Sequence, residues 1–311
     1  MVVVALGGNA IQHPDGDDSV TGDFARTAET ARRLARLALS GPRRLVITHG
    51  NGPQVGNHLL RSEIARTEGG LPELPLDVCV ADTQGGMGYM LQQSLTNAFH
   101  EAGSDVVVAS LVTQVVVDED DPAFDKPAKP IGEMVDEKDV AGLEAGGWTL
   151  KHDEQRGGWR RVVASPDPVE VVEAAAIRAL VASGAVVVAA GGGGVPVVST
   201  TEGLRGRAAV VDKDLASALL AADLRADALV ILTDVTHVAR SYGTPAEEPI
   251  SELTVTEARR LLAKGEFGEG SMAPKVDAMC RFIERSGGSG VIASIDQAAE
   301  ALDGIGTRFI R

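Results

Sequence analysis

Two apolar runs, Val2-Val3-Val4-Ala5-Leu6 and Leu45-Val46-Ile47-Thr48, lead into short glycine turns, Gly7-Gly8-Asn9 and Gly50-Asn51-Gly52. A run with no polar alternation fits a strand buried on both faces, and a parallel sheet covered by helices on each side provides that environment. Similar runs follow at Val106–Ser110, Val112–Val117, Val186–Ala190, Leu229–Thr233 and Val291–Ile295. Between them the spacing predicts helices over Phe24–Leu39, Gly86–Glu101, Pro168–Ser183, Asp214–Ala222 and Thr256–Lys264. The alternation predicts an α/β protein with a mostly parallel central sheet. Glycine at the end of a buried strand lets the main chain approach a ligand closely, and successive N–H groups at a strand-to-helix turn cradle an anion. Neither turn carries the Gly-x-x-x-x-Gly-Lys-Ser/Thr pattern of a P-loop, so any phosphate-binding lysines must come from elsewhere in the chain.

Lysine is scarce. Of 29 basic residues, 22 are arginine and seven are lysine, at 126, 129, 138, 151, 213, 264 and 275. A compositional bias toward arginine explains the arginines but not where the lysines sit, and a retained lysine suits a task that needs a compact, mobile ammonium. The net charge of −15 opposes binding to nucleic acid or an anionic membrane. No apolar run reaches the roughly 20 residues of a membrane helix and no basic leader precedes the first strand, so the expected location is cytoplasmic. Cys79 and Cys280 are far apart and match no metal or disulfide pattern, which predicts buried free thiols.

From Asp118 to Pro168 the rhythm breaks into a stretch rich in charge, proline and glycine that carries both tryptophans, Trp148 and Trp159. A loop of this length reads as an inserted subdomain or lid. Thr200–Arg207 reads as a surface hinge between an N-terminal half, 1–203, and a C-terminal half, 204–311.

Several clusters carry candidate chemistry. Asp212-Lys213-Asp214 opens a helix, where one aspartate can orient the ammonium while the other caps the helix or faces a nucleotide hydroxyl or metal; a solvated charge cluster is the plain alternative. Gly268–Lys275 ends in Pro-Lys at a helix start and can lay N–H groups and an ammonium on phosphates, or form an ordinary Gly/Ser loop. Four glycines, Gly191–Gly194, end another strand and imply close approach of backbone to a ligand or another chain, or a mobile linker. Asp234 follows the strand ending at Thr233, at the sheet edge where ligands of open α/β folds collect; it could contact ribose or adenine, or cap a turn. His49 has no nucleophile elbow or second histidine beside it and reads as structural.

In this order the pieces resemble the carbamate kinases of the amino-acid kinase superfamily, from Val2 to about Thr307. The matching stretches are Val4–Ala10, His49–Asn57, Leu111–Asp118, Lys129–Gly132, Gly191–Val198, Val211–Asp214, Ala228–Thr233 and Gly270–Lys275. The resemblance implies a three-layer αβα sandwich with a protruding subdomain at about 118–168, usually a homodimer. Residues 1–203 would hold carbamate, and 204–311 would hold the nucleotide. It also implies reversible phosphoryl transfer between ATP and carbamate, giving ADP and carbamoyl phosphate, in the ATP-forming direction if the family's part in arginine catabolism applies. Mg²⁺ would ride chiefly on the nucleotide phosphates, with no dedicated protein metal site.

Most superfamily relatives place a lysine where this chain has Leu6, and Lys129 of the subdomain would replace it. Lys129, Lys213 and Lys275 would then supply positive charge, with Asp212 orienting them. Gly7, Gly8, Asn9, Gly50, Asn51 and Gly52 would hold carbamate and the moving phosphoryl. Lys213, Asp214, Thr233, Asp234, Tyr242, Gly270, Met272 and Lys275 would line the nucleotide site. Ser241 stands where asparagine is expected, and Ala164 where proline is common. The rival readings are a kinase of the same fold acting on another small acid or phosphate, a carbamate kinase run mainly to make carbamoyl phosphate, a nucleotide-binding regulatory protein that has lost catalysis, and a dinucleotide-binding dehydrogenase. The first turn lacks the Gly-x-Gly-x-x-Gly of the last.

Overall fold

The structure, a computed structural model, describes residues 1–11, 19–40, 44–153, 157–268 and 271–311. Its main sheet has eight strands in the order Glu252–Thr254, Thr307–Ile310, Ser289–Ser294, Ala228–Thr233, Val2–Leu6, Leu45–His49, Val186–Val188 and Val108–Ser110. All neighbours pair in parallel except Ser289–Ser294 with Thr307–Ile310. Among the described residues eight α-helices follow in chain order: α1 (Val20–Leu39), α2 (Gly52–Gly69), α3 (Leu76–Glu101), α4 (Glu137–Ala145), α5 (Ala174–Ala182), α6 (Lys213–Asp223), α7 (Val255–Ala263) and α8 (Met272–Ser286).

The first strand explains the layering. Val3 and Ala5 share a core with apolar residues of α5, α6, α7 and α8, while Val2, Val4 and Leu6 share another with α1 and α3. Side chains alternate across a strand, so an apolar residue at every position means that both faces are covered. The expected three-layer αβα sandwich follows.

Three local expectations differ from the structure. The run Val112–Val117 forms a strand only over Gln114–Val117, and that strand belongs to a second sheet with Gly203–Gly206, Val195–Thr200 and Pro168–Val171. The helix expected over Pro168–Ser183 begins only at Ala174, because Pro168–Val171 is an edge strand antiparallel to Val115–Val117. Proline and alternating β-branched residues suit an edge strand better than a helix interior. Thr200–Arg207, read as a hinge, contains the tight hairpin turn between Val195–Thr200 and Gly203–Gly206, closed by a bond from the Thr200 hydroxyl to the Gly203 carbonyl at 2.7 Å.

The insertion is a small three-stranded sheet, Lys129–Val135, Gly158–Val163 and Leu150–Asp153, with α4 beside it. It docks on α2. A Cβ added at Gly56 would lie 2.2 Å from the Gly132 Cα, so the two backbones touch where neither residue has a side chain; Gly132 has φ of +69°. Ile131 enters a small core with Val55, Leu59 and Val80. Beside it Glu63 accepts hydrogen bonds from Arg161 at 2.7 Å and the Trp148 indole at 3.2 Å, and the Arg161 guanidinium stands 4.2 Å over the Trp148 ring.

Candidate active site

Strand register brings the glycine turns together. Leu6 pairs with both His49 and Leu232, so Gly7, Gly50 and the residues after Thr233 emerge side by side at the carboxyl edge of the sheet. Ile47 pairs with Val188, which brings the tetraglycine turn to the same edge. This is the edge where open α/β sheets collect ligands.

Helix α6 starts here. Asp212 is its N-cap, accepting from the Asp214 N–H at 2.9 Å and the Leu215 N–H at 3.4 Å. The first turn is pinned to the sheet through Ser217, whose hydroxyl lies 2.6 Å from that of Thr48 and 2.5 Å from the Lys213 carbonyl. Lys213 then runs across Gly50: a Cβ there would lie 3.2 Å from the lysine Cδ. Its ammonium reaches Asp214 Oδ1 at 2.5 Å, and Lys275, from the first turn of α8, reaches Asp214 Oδ2 at 3.0 Å. Lys129 crosses from the subdomain to pair with Asp212.

Asp212 was expected to orient the lysines. The work is divided: Asp212 caps α6 and holds Lys129, whereas Asp214 binds Lys213 and Lys275. Asp214, expected among the nucleotide contacts, has its two oxygens engaged by the two ammonium groups.

Burial pushes both carboxyls up, yet the neighbouring ammonium groups outweigh it and hold Asp212 and Asp214 below the usual aspartate range. Burial lowers Lys213, more than Asp214 restores. Burial also opposes the charge on Lys275, but the Asp214 carboxylate prevails and raises it, with a smaller contribution from Asp234. Three lysine side chains thus converge on two carboxylates.

Among the residues expected to hold the acceptor, Gly7 donates to the Leu232 carbonyl at 3.0 Å and leaves only 3.1 Å between a built Cβ and that oxygen, while Gly8 is exposed with nothing close. The backbone of Asn9 lies in the short turn Gly8–Ala10. Gly52 opens α2 beneath the Pro130 carbonyl, so the subdomain overhangs this turn. Asn51 is buried; its amide donates to the Thr83 hydroxyl at 2.8 Å and packs against Gly192, where a Cβ would sit 2.2 Å from Nδ2. The tetraglycine turn is therefore ordered packing and not a linker. Gly192, Gly193 and Gly194 all have positive φ, and so does Ala190 at +48°. His49 is buried and its Nδ1 lies 2.9 Å from the Gly50 carbonyl, which only accepts; burial lowers the ring's pKa, keeping it neutral. Its structural reading fits this setting.

Among the residues expected to border the nucleotide, Thr233 ends its strand and Asp234 is exposed beside it. Met272 opens α8 and packs against the core, while Tyr242 is exposed at a turn. Gly270 lies outside the described residues. Ser241 has φ of +48°, a conformation asparagine tolerates better than serine, which gives the expected asparagine a backbone reason.

The amino acid kinase family matches residues 1–294. This chain belongs to that family. It is similar to the carbamate kinase of Thermococcus kodakarensis, 46% identical over 312 residues that cover 100% of this chain and 99% of that protein. It is also 46% identical to the carbamate kinase of Halobacterium salinarum, over 97% and 95% of the two chains. Among solved structures, carbamate kinase from Giardia lamblia bound to AMP-PNP matches with a TM-score of 0.90 and 38% identity, over 99% of this chain and 98% of that one.

Sequence reasoning missed the layer that supports this amino acid kinase site. Gln84 brackets Thr113, donating to its carbonyl at 3.0 Å and accepting from its N–H at 2.8 Å, and the Thr113 hydroxyl accepts from the Ala190 N–H at 2.9 Å. These contacts fix the left-handed residue that begins the tetraglycine turn. Polar residues inside apolar runs, Thr48 and Thr113, were the available signal.

Proposed function

We propose that this amino acid kinase catalyses reversible phosphoryl transfer between ATP and carbamate, giving ADP and carbamoyl phosphate. The observation that carries the reading is the meeting of Lys129, Lys213 and Lys275 around Asp212 and Asp214, beside glycine turns that expose backbone to a small anion. The named carbamate kinases, similar over nearly the whole chain, support it.

Phosphoryl transfer needs alignment and neutralisation of charge on the moving group more than covalent participation by the protein. Lys213 and Lys275 would meet the phosphates from the nucleotide side, and Lys129 would approach from above. Asp214 would keep the first two aimed while phosphate is absent and yield part of their charge when it arrives. Gly7, Gly8, Asn9, Gly50, Asn51 and Gly52 would hold carbamate and the phosphoryl; carbamate is already an anion, so no general base is needed. Asp234, Tyr242, Thr233 and Met272 would border the nucleotide.

Residues 1–203 and 204–311 would form the carbamate and nucleotide halves, with about 118–168 as the lid. Strand order supports the division: the main-sheet strands of the first half lie together on one side of the boundary between Val2–Leu6 and Ala228–Thr233. Mg²⁺ would be held mainly by phosphate oxygens and water, supplying charge neutralisation, because Asp212 and Asp214 are engaged by lysines and no cluster of three potential ligands occurs among the described residues.

A homodimer is proposed through the edge strand Val108–Ser110, flanked by exposed Val107 and Val112, with Tyr89 of α3 nearby. The free, buried Cys79 and Cys280 support a cytoplasmic location, and no helix among the described residues is long and apolar enough to cross a membrane. ATP formation in arginine catabolism is the proposed physiological direction.

The test is a coupled assay for ATP formation from ADP and carbamoyl phosphate, set against a panel of other acyl phosphates. Preferential use of carbamoyl phosphate is expected. Efficient phosphorylation of acetylglutamate or aspartate with no use of carbamate would overturn the assignment.

A further inference from the structure

Asn51 stands at the N-cap of α2, where an asparagine side chain ordinarily accepts from an N–H of its own helix's first turn. It makes no such bond. Its Nδ2 instead donates to the Thr83 hydroxyl at 2.8 Å, and that hydroxyl donates its proton to the Val80 carbonyl at 2.7 Å. A hydroxyl has one proton to give, so with that proton on Val80 the oxygen facing Asn51 acts as an acceptor. The carboxamide is thereby fixed with its NH₂ toward α3. Gly192 closes the other side, because a Cβ there would lie within 2.6 Å of Nδ2, Cγ and Oδ1 alike.

We propose that Thr83 is a positioning residue that holds the Asn51 carboxamide away from its own helix and so keeps the first turn of α2 open to the acceptor anion. The inference rests on the reading that Gly50-Asn51-Gly52 holds carbamate or the acyl phosphate. Pro53 has no N–H, so the first-turn donor of α2 that a cap side chain can reach is Gln54. Without the Thr83 acceptor, the Asn51 side chain is free to turn its oxygen onto the Gln54 N–H, where it competes with the substrate for that donor. The competition concerns the acceptor anion and not the nucleotide, whose lysines arise from α6 and α8.

The test compares Thr83→Val, which keeps the shape and removes the acceptor, with Thr83→Ser, which keeps the hydroxyl. Thr83→Val should raise the KM for carbamoyl phosphate about tenfold, the scale of a lost hydrogen bond to a charged group. Inorganic phosphate, used as a competitive inhibitor against carbamoyl phosphate, should weaken by a similar factor. The KM for ADP should stay unchanged, and Thr83→Ser should return both values close to wild type. If Thr83→Val does not fold, Thr83→Ala is read in the same way.

Asn51→Leu, which places a branched apolar group at the turn, separates the site from the role of Thr83, with retained ADP affinity as the check on folding. Wild-type use of carbamoyl phosphate by Asn51→Leu would overturn the acceptor-site reading itself. A raised KM in Asn51→Leu, with unchanged KM and phosphate inhibition in Thr83→Val, would overturn the role of Thr83 and leave the site standing. A fall in kcat alone, or a hydroxyl-independent effect shared by Thr83→Ser, would likewise overturn it.

Discussion

Lys213 and Lys275 reach the site from the frame of the molecule, whereas Lys129 reaches it from an appendage. The first two begin α6 and α8, helices packed on the main sheet, and share a carboxylate whose side chain is only 4% exposed. Lys129 is 29% exposed and sits on a subdomain that touches α2 through a glycine-to-glycine contact and the Glu63 cluster. A buried ion cluster is rigid because separating its charges leaves one uncompensated in a poor solvent for it. A docked subdomain can shift as a unit. The positive charge is therefore divided between a fixed part and a part whose position depends on docking.

The largest effect should come from the fixed part. Lys213→Ala should lower kcat by about 10²-fold or more with the fold retained, as expected for loss of a donor aimed at transition-state charge. Circular dichroism and turnover together check this, and near wild-type turnover in a folded variant would remove Lys213 from the chemistry.

The docked part should be breakable without touching a lysine. Gly56→Ala places a methyl 2.2 Å from Gly132, so the subdomain must move. Turnover should fall about tenfold or more, on the scale of a misplaced reacting group. Lys129→Ala should act similarly, with calorimetric ADP affinity unchanged in both. Because both changes would act through one ammonium, the double variant should cost no more than the worse single one. Additive losses would separate docking from Lys129.

Titration sharpens the contrast. Burial lowers Lys213, so its charge should be lost on the alkaline side at a pH below the 10.5 of an ordinary lysine, and kcat should decline there. On the acid side, Asp214 is depressed below its ordinary 3.8 by Lys213 and Lys275, against the opposing effect of burial. A depressed carboxyl contributes stability above its unfolded value and loses it as pH falls through the folded value. The stability gap between wild type and Asp214→Asn should therefore be full near neutrality and narrow below pH 3.8, read as Tm against pH.

Arg161→Ala should have the smallest effect. Its partly screened pair with Glu63 contributes about 1 kcal/mol or less, and kcat should fall by under about threefold. Fluorescence should respond nonetheless, since the two tryptophans of the chain, Trp148 and Trp159, both lie in the subdomain. A large loss of activity with unchanged fluorescence would show that Arg161 acts other than by docking.

The sequence by itself determined the inner strands of the main sheet and the glycine turns that follow two of them. Residues buried on both faces must be apolar at every position, and a chain leaving such a strand toward a ligand needs small residues, so Val2–Leu6 with Gly7-Gly8 and Leu45–His49 with Gly50 were legible locally. The scarcity of lysine similarly drew attention to Lys129, Lys213 and Lys275. What pairs with what was not legible. Asp212 and Asp214 are two residues apart and chemically identical, and only the start of α6 directs one to its cap and Lys129 and the other to Lys213 and Lys275. Pro168–Val171 became a strand because a partner, Val115–Val117, lay beside it. Thr83 and Gln84 looked like ordinary helix residues until α3 crossed Asn51 and Thr113. Burial and strand ending are properties of a short segment, whereas hydrogen-bond partnership depends on which distant segment the fold brings within about 3 Å.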